Sequence, residues 1–165
     1  MVEFISNPYV LIVLLTLAPF LELRASIPYG ILVAKLNCVT VVALAVVVNI
    51  LLGPILYVLL DTMLHAVLRL PLAKRLWDRM ILRTQRKIHP LVAKYGVWGL
   101  SVFIGIPLPG SGVYSGAIGG YLLGFTKKEF YVSTVLGVLI AAAIVTAVVL
   151  TGAETLRVFV KAVKV

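Results

Sequence analysis

A chain of 165 residues that is 62% hydrophobic, 13% charged and has a mean hydropathy of +1.13 lies outside the range of a water-soluble domain, which averages about 45–50% apolar and about 25% charged. It reads as an all-α integral membrane protein. The net charge of +9 comes without a phosphate loop, a dinucleotide fingerprint, His/Cys metal spacing or a nucleic-acid motif, which excludes soluble-enzyme chemistry, a metal centre and an ATP-driven pump encoded by this chain alone.

The start, Met1-Val-Glu-Phe, has neither a basic n-region nor a small-residue cleavage site, so no cleavable signal peptide is expected. Four apolar regions follow, at about 8–35, 39–60, 96–124 and 129–152. The second and fourth, about 22 and 24 residues long, each suffice to cross a hydrocarbon core of about 30 Å. The first and third are interrupted. Each splits into pieces of about 9–14 residues, or roughly 14–21 Å of helix at 1.5 Å per residue. Such pieces predict re-entrant helical hairpins with tips near mid-membrane; two thin full crossings are the alternative.

The first break reads Pro19-Phe-Leu-Glu-Leu-Arg-Ala-Ser-Ile-Pro28. Glu22 and Arg24 are costly there, at about 2.5–3.5 kcal/mol for a charge at mid-bilayer on insertion scales. Each has to be paired or face water. The functional reading is a carboxylate that carries a proton beside a guanidinium that grips an anion bidentately. A structural ion pair and an ordinary surface loop are the alternatives. Ser26 is a candidate to open the second half-helix, with Pro28 in its first turn. Cys38 is the only cysteine, so no intrachain disulfide is possible. Asn49, in the middle of the first full crossing, faces either the same cavity or a neighbouring helix.

Between the hydrophobic halves lie Arg69, Lys74, Arg75, Arg79, Arg83, Arg86, Lys87 and Lys94. Such a cluster marks a cytoplasmic segment, 61–95, in contact with anionic lipid headgroups. Within it, Pro71 to Pro90 reads as one amphipathic interfacial helix with Trp77 at headgroup depth.

The second break, Ile106-Pro-Leu-Pro-Gly-Ser-Gly-Val-Tyr-Ser-Gly116, carries no charge. Pro107, Pro109 and Gly110 are expected to unwind the backbone, and Ser111-Gly112 to open the next half-helix with free N–H groups facing the membrane centre. These residues otherwise make only a tight turn. Gly112, Gly116, Gly120 and Gly124 form a small-residue stripe for close helix packing. The turn with Lys127 and Lys128 leads into the last crossing.

A hairpin returns to the side it entered, and one crossing follows it. Repeating that unit inverts the second copy, which predicts an inverted repeat: residues 1–60, then the linker 61–95, then 96–165. Two interrupted hydrophobic segments in corresponding halves are the sequence mark of a transporter site. Two full crossings are few for a sealed pathway, which leaves a homodimer open, with the glycine stripe as one contact.

At residues 20–28 and 103–112 the chain resembles the small multidrug export protein family, itself similar to the DedA/VTT membrane proteins. That resemblance implies paired re-entrant hairpins and, for some members of the superfamily, movement of phosphorylated lipid carriers or phospholipids. Glu22 and Pro28 match the superfamily's acid ahead of a proline, and Pro109-Gly110 match its Pro-Gly. Gly112 stands where that pattern has an arginine. The expected function is a proton-coupled transporter or flippase for an amphipathic anion, with no cofactor. Export of small hydrophobic or cationic compounds is the runner-up, and an uncoupled scramblase or membrane organiser is the third reading.

Overall fold

The computed structural model describes residues 7–67, 95–107 and 111–163, and every regular element among them is helical. The amphipathic linker helix, its basic cluster, Pro109 and Gly110 lie outside the described residues.

Helix α1, Pro8–Leu17, starts on a side-chain cap, the Asn7 carboxamide oxygen accepting the Tyr9 N–H at 3.0 Å, with Pro8 in the first turn, where a missing N–H costs nothing. Residues 18–21 reverse the chain. The reversal is made without glycine: Phe20 at φ 70° and Glu22 at φ 46° are both left-handed, a conformation that stores strain in residues carrying a Cβ.

Helix α2, Glu22–Pro28, continues into a π-helical turn, Tyr29–Val33. The widening follows from Pro28, which has no N–H to return to the helix. The register then relaxes, and the Ala34 N–H reaches back five residues to the Tyr29 carbonyl at 2.9 Å. Two expectations are corrected here. Ser26 does not open this helix and Pro28 is not in its first turn: Glu22 opens it, Pro28 ends it, and Ser26 is interior. The Ser26 hydroxyl is instead spent across the hairpin, 2.8 Å from that of Thr16.

Helix α3, Cys38–Val67, begins under Asn37, whose side chain accepts the Val39 N–H at 2.9 Å. Its apolar part, Cys38–Met63, has 26 residues at a hydropathy of 2.6, about 39 Å of helix. Helix α4 is Tyr95–Gly105 and helix α5 is Val113–Leu122. The α5 C-terminus closes on Gly124 at φ 75°: the Phe125 N–H returns to the Gly120 carbonyl at 3.0 Å and the Gly124 N–H to that of Tyr121 at 3.1 Å. Helix α6, Lys127–Val163, starts on a reciprocal cap between Thr126 and Glu129. Its stretch Lys127–Gly152 matches α3 in length and hydropathy. By contrast α1 and α5 have 10 residues each, about 15 Å.

Helices α3 and α6 form the frame into which the short helices pack: α2 lies against both, and so does α5. Val47, Leu51, Ile55 and Val58 run along one exposed face of α3, the arrangement of a lipid-facing surface. Val41, Ala45, Asn49 and Leu52 form the buried stripe of the same helix. Small residues set the closest contacts, as expected where lipid gives helices no hydrophobic reason to associate. A Cβ on Gly137 of α6 would stand 2.8 Å from the Ser101 carbonyl oxygen of α4. The glycine stripe of α5 is largely occupied inside the chain, Gly116 by Ile104 and Gly120 by Leu100 and Phe130, while Gly119 has nothing within 4 Å.

Candidate functional site

The two interrupted regions meet at their breaks. Glu22, the first residue of α2, is 3% exposed. Its carboxylate lies across the N-terminus of α5, where Oε2 accepts the Val113 N–H at 3.2 Å and Oε1 the Tyr114 N–H at 3.3 Å. The first N–H groups of a helix lack intrahelical partners and carry its positive dipole end. Gly112, the residue capping α5, has no side chain to offer them. The acid from the other hairpin supplies the missing cap. The free backbone donors expected at the second tip exist, and the protein's own carboxylate occupies them.

Arg24, two residues further on the same hairpin, binds the second hairpin's acceptors. Its Nη1 donates to the Ser111 carbonyl, and its Nη2 to the Ile106 carbonyl and the Ser111 hydroxyl oxygen, both at 3.0 Å. The Ile104 carbonyl lies at 3.5 Å from Nη2. The carbonyls at the C-terminal end of α4 are orphans of that helix, so a cation satisfies them and complements the negative dipole end. The bidentate edge expected to grip an external anion is thus turned to backbone carbonyls. Arg24 ties the end of α4 to the start of α5, and its charge stays beside Glu22.

Gly112 lies between the two charges. Its φ is 126°, and a Cβ there would come 2.6 Å from Glu22 Oε2 and 2.9 Å from Arg24 Nη1. The position that departs from the expected arginine is one where even an alanine has no space. Tyr114 adds a second tie, its hydroxyl donating to the Leu17 carbonyl at the end of α1.

Asn49 completes the site. It is 0% exposed, and neither its Oδ1 nor its Nδ2 has a hydrogen-bond partner. The Nε of Arg24 is likewise buried and unpartnered. Asn49, Glu22 and Arg24 line one crevice whose apolar walls are Leu23, Ile104, Val113, Val138 and Ala141, too tight here to admit a water molecule. A buried amide left without partners costs about 1–3 kcal/mol.

The sequence-nominated residues therefore divide. Glu22, Arg24, Asn49, Ser111 and Gly112 converge, Ser111 also donating to the Ile106 carbonyl. Ser26 and Pro28 belong to the body of α2, and Pro107 is exposed beyond α4. The carbonyls of Ile104 and Ile106 were not foreseen, because a backbone acceptor leaves no trace in residue identity. Among the described residues no group of His, Cys, Asp and Glu is arranged to hold a metal. Tyr57 forms a separate aromatic cluster with Tyr121, Phe130 and Tyr131, and donates to the Phe125 carbonyl at 3.0 Å.

No curated protein and no solved structure matches the chain. Residues 22–144, which run from Glu22 through both breaks and most of the apolar part of α6, match the family described as "Putative small multi-drug export protein", and the chain belongs to that family.

Proposed function

We propose that this protein is a small membrane transporter in which Glu22 couples protons to the movement of an amphipathic anion. The observation that carries the proposal is the Glu22 carboxylate seated on the α5 N-terminus. A donor set built of helix amides beside an arginine selects negative charge, and in this state it holds the protein's own. Ionised Glu22 and Arg24 together leave the tips neutral. Protonation of Glu22 removes its charge and weakens its hold on the amides, leaving a net positive site in which an anionic headgroup takes the vacated donors. Proton and anion binding are then linked, since each favours the other. The short helices α1, α2, α4 and α5 act as two re-entrant hairpins of an inverted repeat, and their parting opens the path.

Reconstitution tests this. In liposomes with an imposed pH gradient, a fluorescent short-chain phosphatidic acid is expected to accumulate with the wild type. With Glu22→Gln it is expected to equilibrate without regard to pH. Retention of pH-driven accumulation by Glu22→Gln removes the proposal. The family's description favours a second reading, export of drug-like cations with Glu22 as counter-ion. Ethidium movement lost in Glu22→Gln, with phosphatidic acid unmoved by the wild type, selects it. Equilibration of lipid by the wild type at every pH selects an uncoupled scramblase.

A further inference from the structure

The crevice behind the Glu22 cap holds more unmet hydrogen-bonding capacity than a resting structural site has use for. Asn49 offers an acceptor and a donor, both buried and unpartnered, and Arg24 adds a buried donor at Nε. Both residues line the same crevice as the Glu22 carboxylate. Asn49 is placed there by the register of α3, on the stripe that packs toward the hairpins, where the flanking members are Val41, Ala45 and Leu52. A leucine would continue that stripe with no unsatisfied amide. The remaining walls are apolar and the Glu22 carboxylate is engaged with the α5 amides, so no neighbouring side chain supplies a partner without rearrangement.

We propose that Asn49, with Arg24 Nε, forms a hydrogen-bonding subsite that becomes occupied by a hydroxyl group when the tips part. The complement follows from valence. Giving each buried atom at least one partner takes a donor for Asn49 Oδ1 and an acceptor each for Asn49 Nδ2 and Arg24 Nε, and a hydroxyl provides one donor and two acceptor lone pairs. An ion does not fit that pattern: an anion leaves Oδ1 unmet, and a metal cation leaves Nδ2 and Nε unmet. The crevice has no room for such a group in the closed arrangement, so occupancy requires the movement that frees the α5 N-terminus. The hydroxyl comes from water, which then lies on the proton's route to Glu22, or from the cargo, which is then selected for carrying one beside its charged headgroup. This inference rests on Glu22 as the coupling group and adds a selectivity element to it.

The test uses two probes and one core variant in proteoliposomes: lysophosphatidic acid, whose glycerol carries a free hydroxyl next to the phosphate ester, and an alkyl phosphate of equal chain length without it. If the cargo hydroxyl fills the subsite, the wild type moves lysophosphatidic acid about tenfold faster, and Asn49→Leu abolishes that preference while melting at a higher temperature. If water fills it, the wild type shows no preference, and Asn49→Leu slows proton uptake about tenfold for both probes. An Asn49→Leu protein with unchanged preference and unchanged proton uptake overturns the inference. Asn49→Ala, read out the same way, replaces it if the leucine variant does not fold. Failure here is separable from failure of the coupling proposal, which is decided by Glu22→Gln alone.

Discussion

At the scale of single residues, the site is organised around a side chain that is missing. Gly112 leaves the volume that the Glu22 carboxylate and the Arg24 guanidinium fill, and its left-handed φ is strained for any other residue. Gly112→Ala is therefore expected to destabilise the protein by about 1–3 kcal/mol from backbone strain alone, with a further loss from displaced Glu22. Thermal unfolding in micelles measures it, and a melting temperature equal to wild type would show that the tip has room to spare. Tyr114→Phe removes one tie between the tips and is expected to cost about 0.5–1.5 kcal/mol. Its effect should shrink in a Glu22→Ala background if the two ties close the same gap, which a double-mutant cycle reads directly.

At the scale of elements, local chemistry explains starts and stops, and distant contact explains the rest. The Thr126–Glu129 cap is written in four consecutive residues, and Thr126→Ala is expected to cost about 1 kcal/mol, seen as a lowered melting temperature with transport intact. Both long helices were legible as continuous apolar runs, as was Ser111-Gly112 as the opening of α5. The opening of α2 was misplaced by four residues because a polar residue ahead of a proline imitates a helix start. The real signal, a left-handed Glu22, depends on a partner about 90 residues away. The same separation hid the Gly112 cavity. In sequence its glycine looked like the loss of a charge, whereas in the fold it is what lets Glu22 reach the α5 amides. Of the stripe Gly112–Gly124, Gly116 and Gly120 pack on α4 and α6, Gly112 faces Glu22 and Arg24 of α2, and Gly124 has nothing within 4 Å.

At the scale of the whole molecule, α3 and α6 are long enough to cross a bilayer, and α1 and α5 are not. Polar chemistry accordingly gathers where the short helices end. Those ends leave backbone groups without helical partners, and Glu22 and Arg24 reach across from the first break to supply them. The charges that looked like an expense of the first break are thus the closure of the second. On the proposed mechanism, protonation of the Glu22 carboxylate shifts the closure between two states.

The distance between the tips tests that claim most directly. Spin labels at exposed Phe20, in the first tip, and Ile118, midway along the α5 that the second tip opens, in a Cys38→Ser background reconstituted into liposomes, report the separation of the first tip from α5 by double electron–electron resonance across pH. The account predicts one short distance in wild type at high pH, a second population growing as pH falls, and a pH-independent mixture in Glu22→Gln. A single distribution, identical at every pH and in both proteins, would contradict it.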